Sequence, residues 1–165
     1  MKTEKTGHII ALFFACTLFS ACSGGANSNT ANHVASNSNA AANANSARTN
    51  AEELGVLVNM PYETEEIVWK EDQQHKKITA VMRFSPEDSK KIVADAEKIK
   101  APEKVTIPTA TWFPAELIAQ GDMGGEDSVN GLAYSASAFL QEPYSQGRLV
   151  HVEDTDYFVL EVSAK

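Results

Sequence analysis

The sequence predicts an α+β domain, an antiparallel sheet of about five strands with two helices on one face. Strand-like segments come as a pair near residues 66–84, two helical segments follow, and three more strand-like segments close the chain. Elements grouped in this order suit a sheet with helices packed against it. The same order excludes a doubly wound nucleotide-binding sheet, in which strands and helices alternate.

The elements can be justified in turn. Leu54-Gly55-Val56-Leu57-Val58 is a short apolar patch stopped at Asn59-Met60-Pro61, expected to dock as an extended arm. Glu66–Lys70 reads as a strand, Glu71–Lys76 as a polar connection and Lys77–Phe84 as a second strand, together a hairpin. In the second strand Ile78, Ala80, Met82 and Phe84 alternate with Thr79, Val81 and Arg83, the period of a strand packed on one side. Ser85-Pro86-Glu87-Asp88 then starts a helix. Ser85 can accept from a free backbone N–H, Pro86 suits the first helical position, and the two acids complement the helix dipole. Ile92, Val93, Ala96 and Ile99 form its apolar stripe, and Ala101-Pro102 ends it.

Residues 103–112 read as irregular, and Phe113–Gln120 before Gly121 as a short second helix with Trp112, Phe113 and Leu117 toward the core. Gly121–Gly131 reads as a flexible connector. Leu132–Gln141, Arg148–Val152 and Tyr157–Val162 read as the closing strands, joined by turns at Glu142–Gly147 and Glu153–Asp156.

Ahead of this domain, Lys2, Glu4 and Lys5 precede an apolar run from Ile9 to Phe19 broken only by Thr17, and Ser20-Ala21 lead into Cys22. A charged start, an apolar run and small residues are the layout of a secretory signal. The run falls well short of the ~20 residues that a bilayer core requires. With Cys22 after the small residues, residues 1–22 resemble a bacterial lipoprotein signal peptide, although Phe19 stands where that family usually has Leu. The resemblance implies that Cys22 is lipidated and becomes the new N-terminus, with the protein anchored in the cell envelope facing the periplasm or exterior. Ser23 after the cysteine is similar to lipoproteins that pass to the outer membrane of a two-membrane cell. Cleavage before the other cysteine, Cys16, would leave a shorter apolar segment and expose Leu18 and Phe19 beside the bilayer.

Residues 23–50 are almost wholly Asn, Ala, Ser, Gly and Thr, with Val34 and Arg48 as exceptions. They have too little apolar surface to offset the entropy of ordering and read as a disordered tether, with a root-mean-square span of roughly 30 Å. His33 within it reads as solvated. Residues 51–165 then form a single globular domain. Lys2, Lys5 and Arg48 account for three of the 14 basic residues and Glu4 for one of the 22 acidic ones, leaving 11 against 21 and a net charge of −10 on this domain. So acidic a domain lacks the basic face that nucleic acid requires and is repelled by anionic lipid headgroups. Its membrane contact is expected through the lipid on Cys22 alone. No cysteine follows Cys22, which removes thiol nucleophiles, thiolate metal sites and disulfides from the domain.

Among polar clusters, His151 with Glu153, Asp154 and Asp156 surrounds a turn and could hold a divalent metal or form an acid–base pair, but its spacing matches no metal loop. Alternation places His151 opposite Val150 and Val152, and so on the solvent side. Gly121-Asp122-Met123-Gly124-Gly125-Glu126-Asp127 lacks the ligand spacing of a calcium loop and the strand and Lys-Ser/Thr context of a phosphate loop. Ser135, Ser137 and Ser145 stand outside any nucleophile elbow. Trp69, Trp112, Tyr134, Tyr144 and Tyr157 could stack on a sugar or peptide, although aromatics among strands more often fill the core. The expected function is a lipid-anchored, non-enzymatic binding module of the envelope, without catalytic residues, metal or cofactor, for a protein, peptide or glycan partner. Two alternatives stand beside it: a small hydrolase or metal-dependent enzyme built on His151 with Asp154 or Asp156, and a structural spacer.

Overall fold

Asn50 opens the first element: its side-chain oxygen accepts from the backbone N–H groups of Glu52 at 2.8 Å and Glu53 at 3.1 Å. A short-chain amide at this position satisfies donors that the first turn cannot pair internally, and helix α1 runs from Ala51 to Leu57. The computed structural model describes residues 46–125 and 127–165. Strands β1 (Glu66–Asp72) and β2 (Lys77–Arg83) form the expected hairpin, followed by α2 (Pro86–Glu97), β3 (Glu103–Pro108), α3 (Ala115–Gly124), β4 (Ser128–Ser135), β5 (Tyr144–Val152) and β6 (Tyr157–Ala164).

The strands form one antiparallel sheet in the order β1-β2-β6-β5-β4-β3. The α+β class therefore holds, with six strands and three helices among the described residues in place of five and two. The added strand is β3, within residues expected to be irregular. It is an edge strand with β4 as its only neighbour among the described residues, and Val105 and Ile107 pack inward while Glu103, Lys104, Thr106 and Pro108 are exposed. Lys104 and Pro108 are residues that discourage a further strand from adding there.

The added helix is α1, which replaces the expected extended arm. It turns Leu54 and Val58 into the core on the face where α2 also packs, against Trp69, Ile78, Met82 and Phe158. The second face carries Val81, Val129, Val150, Val152 and Val159, and α3 covers it through Leu117, with Phe113 just ahead of the helix. The helices thus lie on both faces, which corrects the single covered face expected. It also explains why β2 departs from one-sided alternation, since Ile78, Ala80 and Met82 are buried on one side and Val81 on the other.

Other boundaries move for local reasons. Ser85 caps α2 as anticipated, its hydroxyl accepting from the Asp88 N–H at 3.1 Å, but the helix ends before Ile99, which is exposed. α3 continues through Gly121 to Gly124 and stops at Gly125, whose φ of 74° favours glycine. Residues 121–131 are thus mostly helix and strand. β4 ends at Ser135 rather than continuing to Gln141, and beyond it Ala138 is exposed and Phe139 enters the core. β5 begins already at Tyr144, inside the expected turn, with an irregularity between Tyr144 and Gln146.

Residues 48–50, read as tether, belong to the domain. Arg48 exchanges two backbone hydrogen bonds with Trp69, each 2.8 Å, and the Trp69 indole N–H donates to the Asn50 carbonyl at 3.0 Å. The domain therefore starts a few residues before Ala51. The signal segment and residues 23–45 of the tether lie outside the described residues.

Candidate functional site

Register sets three residues in a row across adjacent strands: Glu66 on β1 faces Arg83 on β2, which faces Tyr157 on β6. Tyr157 lies on the face covered by α3. Its hydroxyl donates to Glu66 Oε2 at 2.7 Å and also contacts Glu116 Oε2, from the first turn of α3. A phenol has one hydrogen, so it serves one of these two carboxylates at a time. Burial first, then the bonds to Glu116 and Glu66, push the Tyr157 phenol far above its ordinary range. It stays a neutral donor.

Arg83 is the cation of the row. Its guanidinium lies 5.7 Å from the Tyr157 ring centroid, Nε is 3.6 Å from Glu65 and Nη2 is 3.8 Å from Glu66. These distances give attraction without hydrogen bonding, and Nε is buried with no hydrogen-bond partner among the described residues.

Beside the row runs an open groove of about 590 Å³, bounded by Thr49 and Ala51, by the start of β1 with Glu65, Glu66 and Ile67, and by Trp112, Phe113 and Pro114. The aromatic wall is fixed locally. Phe113 N–H donates to the Ala110 carbonyl at 2.9 Å, Phe113 meets Trp112 edge to face at 4.7 Å, and Pro114 leads into α3. The Lys70 ammonium lies 5.6 Å from the Trp112 ring centroid. β1 is a sheet edge. Since Trp69 turns its N–H and C=O outward to Arg48, Ile67, two residues away, also directs its N–H and C=O away from β2.

The residues singled out from sequence fall elsewhere. His151 does oppose Val150 and Val152, but that side is packed rather than open: the imidazole is half-buried and stacks on Phe158 at 4.6 Å and 19°. Its Nε2 lies 2.8 Å from the Thr155 carbonyl, and because a carbonyl only accepts, Nε2 carries the proton. Glu153 and Asp154 are exposed, and the Asp156 carbonyl accepts from Phe84 N–H. The turn thus serves the fold, and its carboxylates do not gather on His151. Among the described residues, no group of three or more His, Cys, Asp or Glu is placed to hold a metal ion.

Ser135 accepts from the Ser137 N–H at 3.3 Å. Trp69, Tyr134, Tyr144 and Tyr157 are buried, which leaves half-buried Trp112 as the aromatic of that group lining the groove. Cys22 and His33 lie outside the described residues. Sequence reasoning missed Glu66, Arg83 and Glu116. The signal available was the hairpin, whose register places Glu66 opposite Arg83.

No protein-family model, curated protein or solved structure matches the chain.

Proposed function

We propose that this protein is a binding module of the bacterial cell envelope, held at a membrane by a lipid on Cys22 and displayed on its polar tether, with the groove beside β1 as its binding face. The observation that carries this reading is the groove itself: an aromatic wall, a free stretch of strand edge and a rim of carboxylates around about 590 Å³. Concave sites with apolar walls and a few convergent polar groups are where ligands bind. A structural spacer has no need of one.

Two measurements test the reading. Replacing Cys22 with Ser should release the protein from the membrane fraction, and N-terminal mass spectrometry of the wild type should find Cys22 lipidated with residues 1–21 removed. A photo-crosslinking residue at Trp112 should trap a discrete partner in cells, whereas the same group at Met123, which is 88% exposed on α3, should not. Retention of Cys22→Ser on the membrane would overturn the anchor. Equal labelling from both positions would overturn the binding face.

A further inference from the structure

We infer that the groove takes a cationic side chain, arginine above all, from an extended peptide segment of a partner protein laid along the start of β1. This rests on the binding-module reading and specifies its partner.

Charge is the first argument. Glu65 and Glu66 line one end of the groove, Glu116 meets Glu66 through the Tyr157 hydroxyl, and the nearby cations are Arg83, beside Glu65 and Glu66, and Lys70, on the Trp112 wall. Neither cation satisfies the carboxylates. Arg83 remains beyond hydrogen-bond distance of Glu65 and Glu66, Lys70 lies over Trp112, and Glu116 has no ion-pair partner among the described residues. Tyr157 brings one hydrogen to two carboxylates. The site is therefore rich in acceptors and short of donors, and a guanidinium supplies five N–H donors in a planar fork.

Shape is the second argument. Trp112, Phe113 and Pro114 form an apolar wall for the methylene stem of a long basic side chain. The outward N–H and C=O of Ile67 offer an extended backbone one residue of antiparallel pairing, the means by which sheet edges hold peptides. An anionic ligand would meet Glu65 and Glu66. A neutral glycan would bring these carboxylates no charge and find Lys70 already over Trp112.

The test uses the full-length lipoprotein in detergent and two blocked hexapeptides, Thr-Val-Arg-Val-Thr-Val and its counterpart with glutamine in place of arginine, titrated by calorimetry. The arginine peptide should bind at least about tenfold more tightly, with the preference shrinking as salt rises. Glu66→Gln combined with Glu116→Gln should abolish the preference. Glu87→Gln, on the exposed surface of α2, should preserve it, and circular dichroism should show both variants folded. Equal binding of the two peptides, or a preference that survives the double substitution, would overturn the inference, as would binding of maltohexaose with neither peptide bound. If both peptides fail while the Trp112 cross-link still forms in cells, the cationic ligand is wrong and the binding module stands. If the cross-link fails as well, both readings fall.

Discussion

Arg48 and Trp69 are bound to each other by backbone and side chain together: two hydrogen bonds of 2.8 Å join their main chains, and the Arg48 guanidinium lies 4.7 Å from the centroid of the indole. Glu71 stands 4.0 Å from the same guanidinium. A segment that reads as spacer by composition thus ends in a clasp on the sheet edge.

Two deletions should separate spacer from clasp. Removing residues 23–45 is expected to leave the thermal midpoint unchanged. Removing residues 46–50 takes away the cap of α1, the bonds to Trp69 and the cation–π contact, and is expected to cost about 2–3 kcal/mol. Thermal melts of the two deleted chains decide it. Equal midpoints would mean that the clasp contributes nothing.

His151→Ala should destabilise the domain by about 1–2 kcal/mol, because it removes an aromatic stack on Phe158 and a hydrogen bond to the Thr155 carbonyl. Chelator should leave wild type and mutant melts alike. A loss below about 0.5 kcal/mol, the range of ordinary surface substitutions, would place the ring in solvent instead.

Alkaline pH should weaken the fold through two tyrosines. Burial, then the bond to Glu71, raises the Tyr144 phenol from its ordinary 10.0 to about 12, and Tyr157 is raised further still. For a group whose pKa is higher in the folded state, the stabilisation is complete below the unfolded value and is lost as pH rises through the folded one. Stability should therefore decline from about pH 10 through about 12 and beyond. Both losses begin at the unfolded value, so Tyr144→Phe should flatten the decline up to about pH 12, whereas Tyr157→Phe should flatten it from about pH 10 onward and beyond the range of Tyr144. Parallel pH profiles for all three proteins would contradict this.

Gly147 on β5 sits so close to β6 that an added Cβ would meet the Glu161 carbonyl and the Val162 side chain. Gly147→Ala should cost about 1–3 kcal/mol, as overpacking does. Chemical denaturation is the measurement, and an unchanged midpoint would show that β5 and β6 can part without loss.

What could be read from the sequence was what local chemistry decides alone. Ser85-Pro86 announced α2 because cap and proline act within one turn, and the β1–β2 hairpin followed from alternation around a polar connection. α1 was hidden because its cap, Asn50, ends a low-complexity run and Gly55 and Val58 weaken the helical pattern. β3 was hidden because a strand at the edge keeps few buried residues to alternate. The row Glu66, Arg83, Tyr157 and its neighbour Glu116 needed more than local chemistry. Tyr157 reaches Glu66 only because β6 lies beside β2, and Glu116 joins them only because α3 crosses the opposite face from α2. Neither relation leaves a trace in spacing along the chain.

The place of β6 has a consequence for how the molecule comes into being. β6, the last strand in chain order among the described residues, lies in the interior of the sheet, where Lys77 pairs with Ser163 on one side and His151 with Phe158 on the other. Without β6, the β1–β2 hairpin has no strand pairing with the β3–β4–β5 half, and Phe158 and Leu160 are missing from the core that Trp69, Phe84 and Leu149 share. Pairing between segments far apart in sequence is slow to form, so the step that joins the two halves of the sheet is expected to come late in folding.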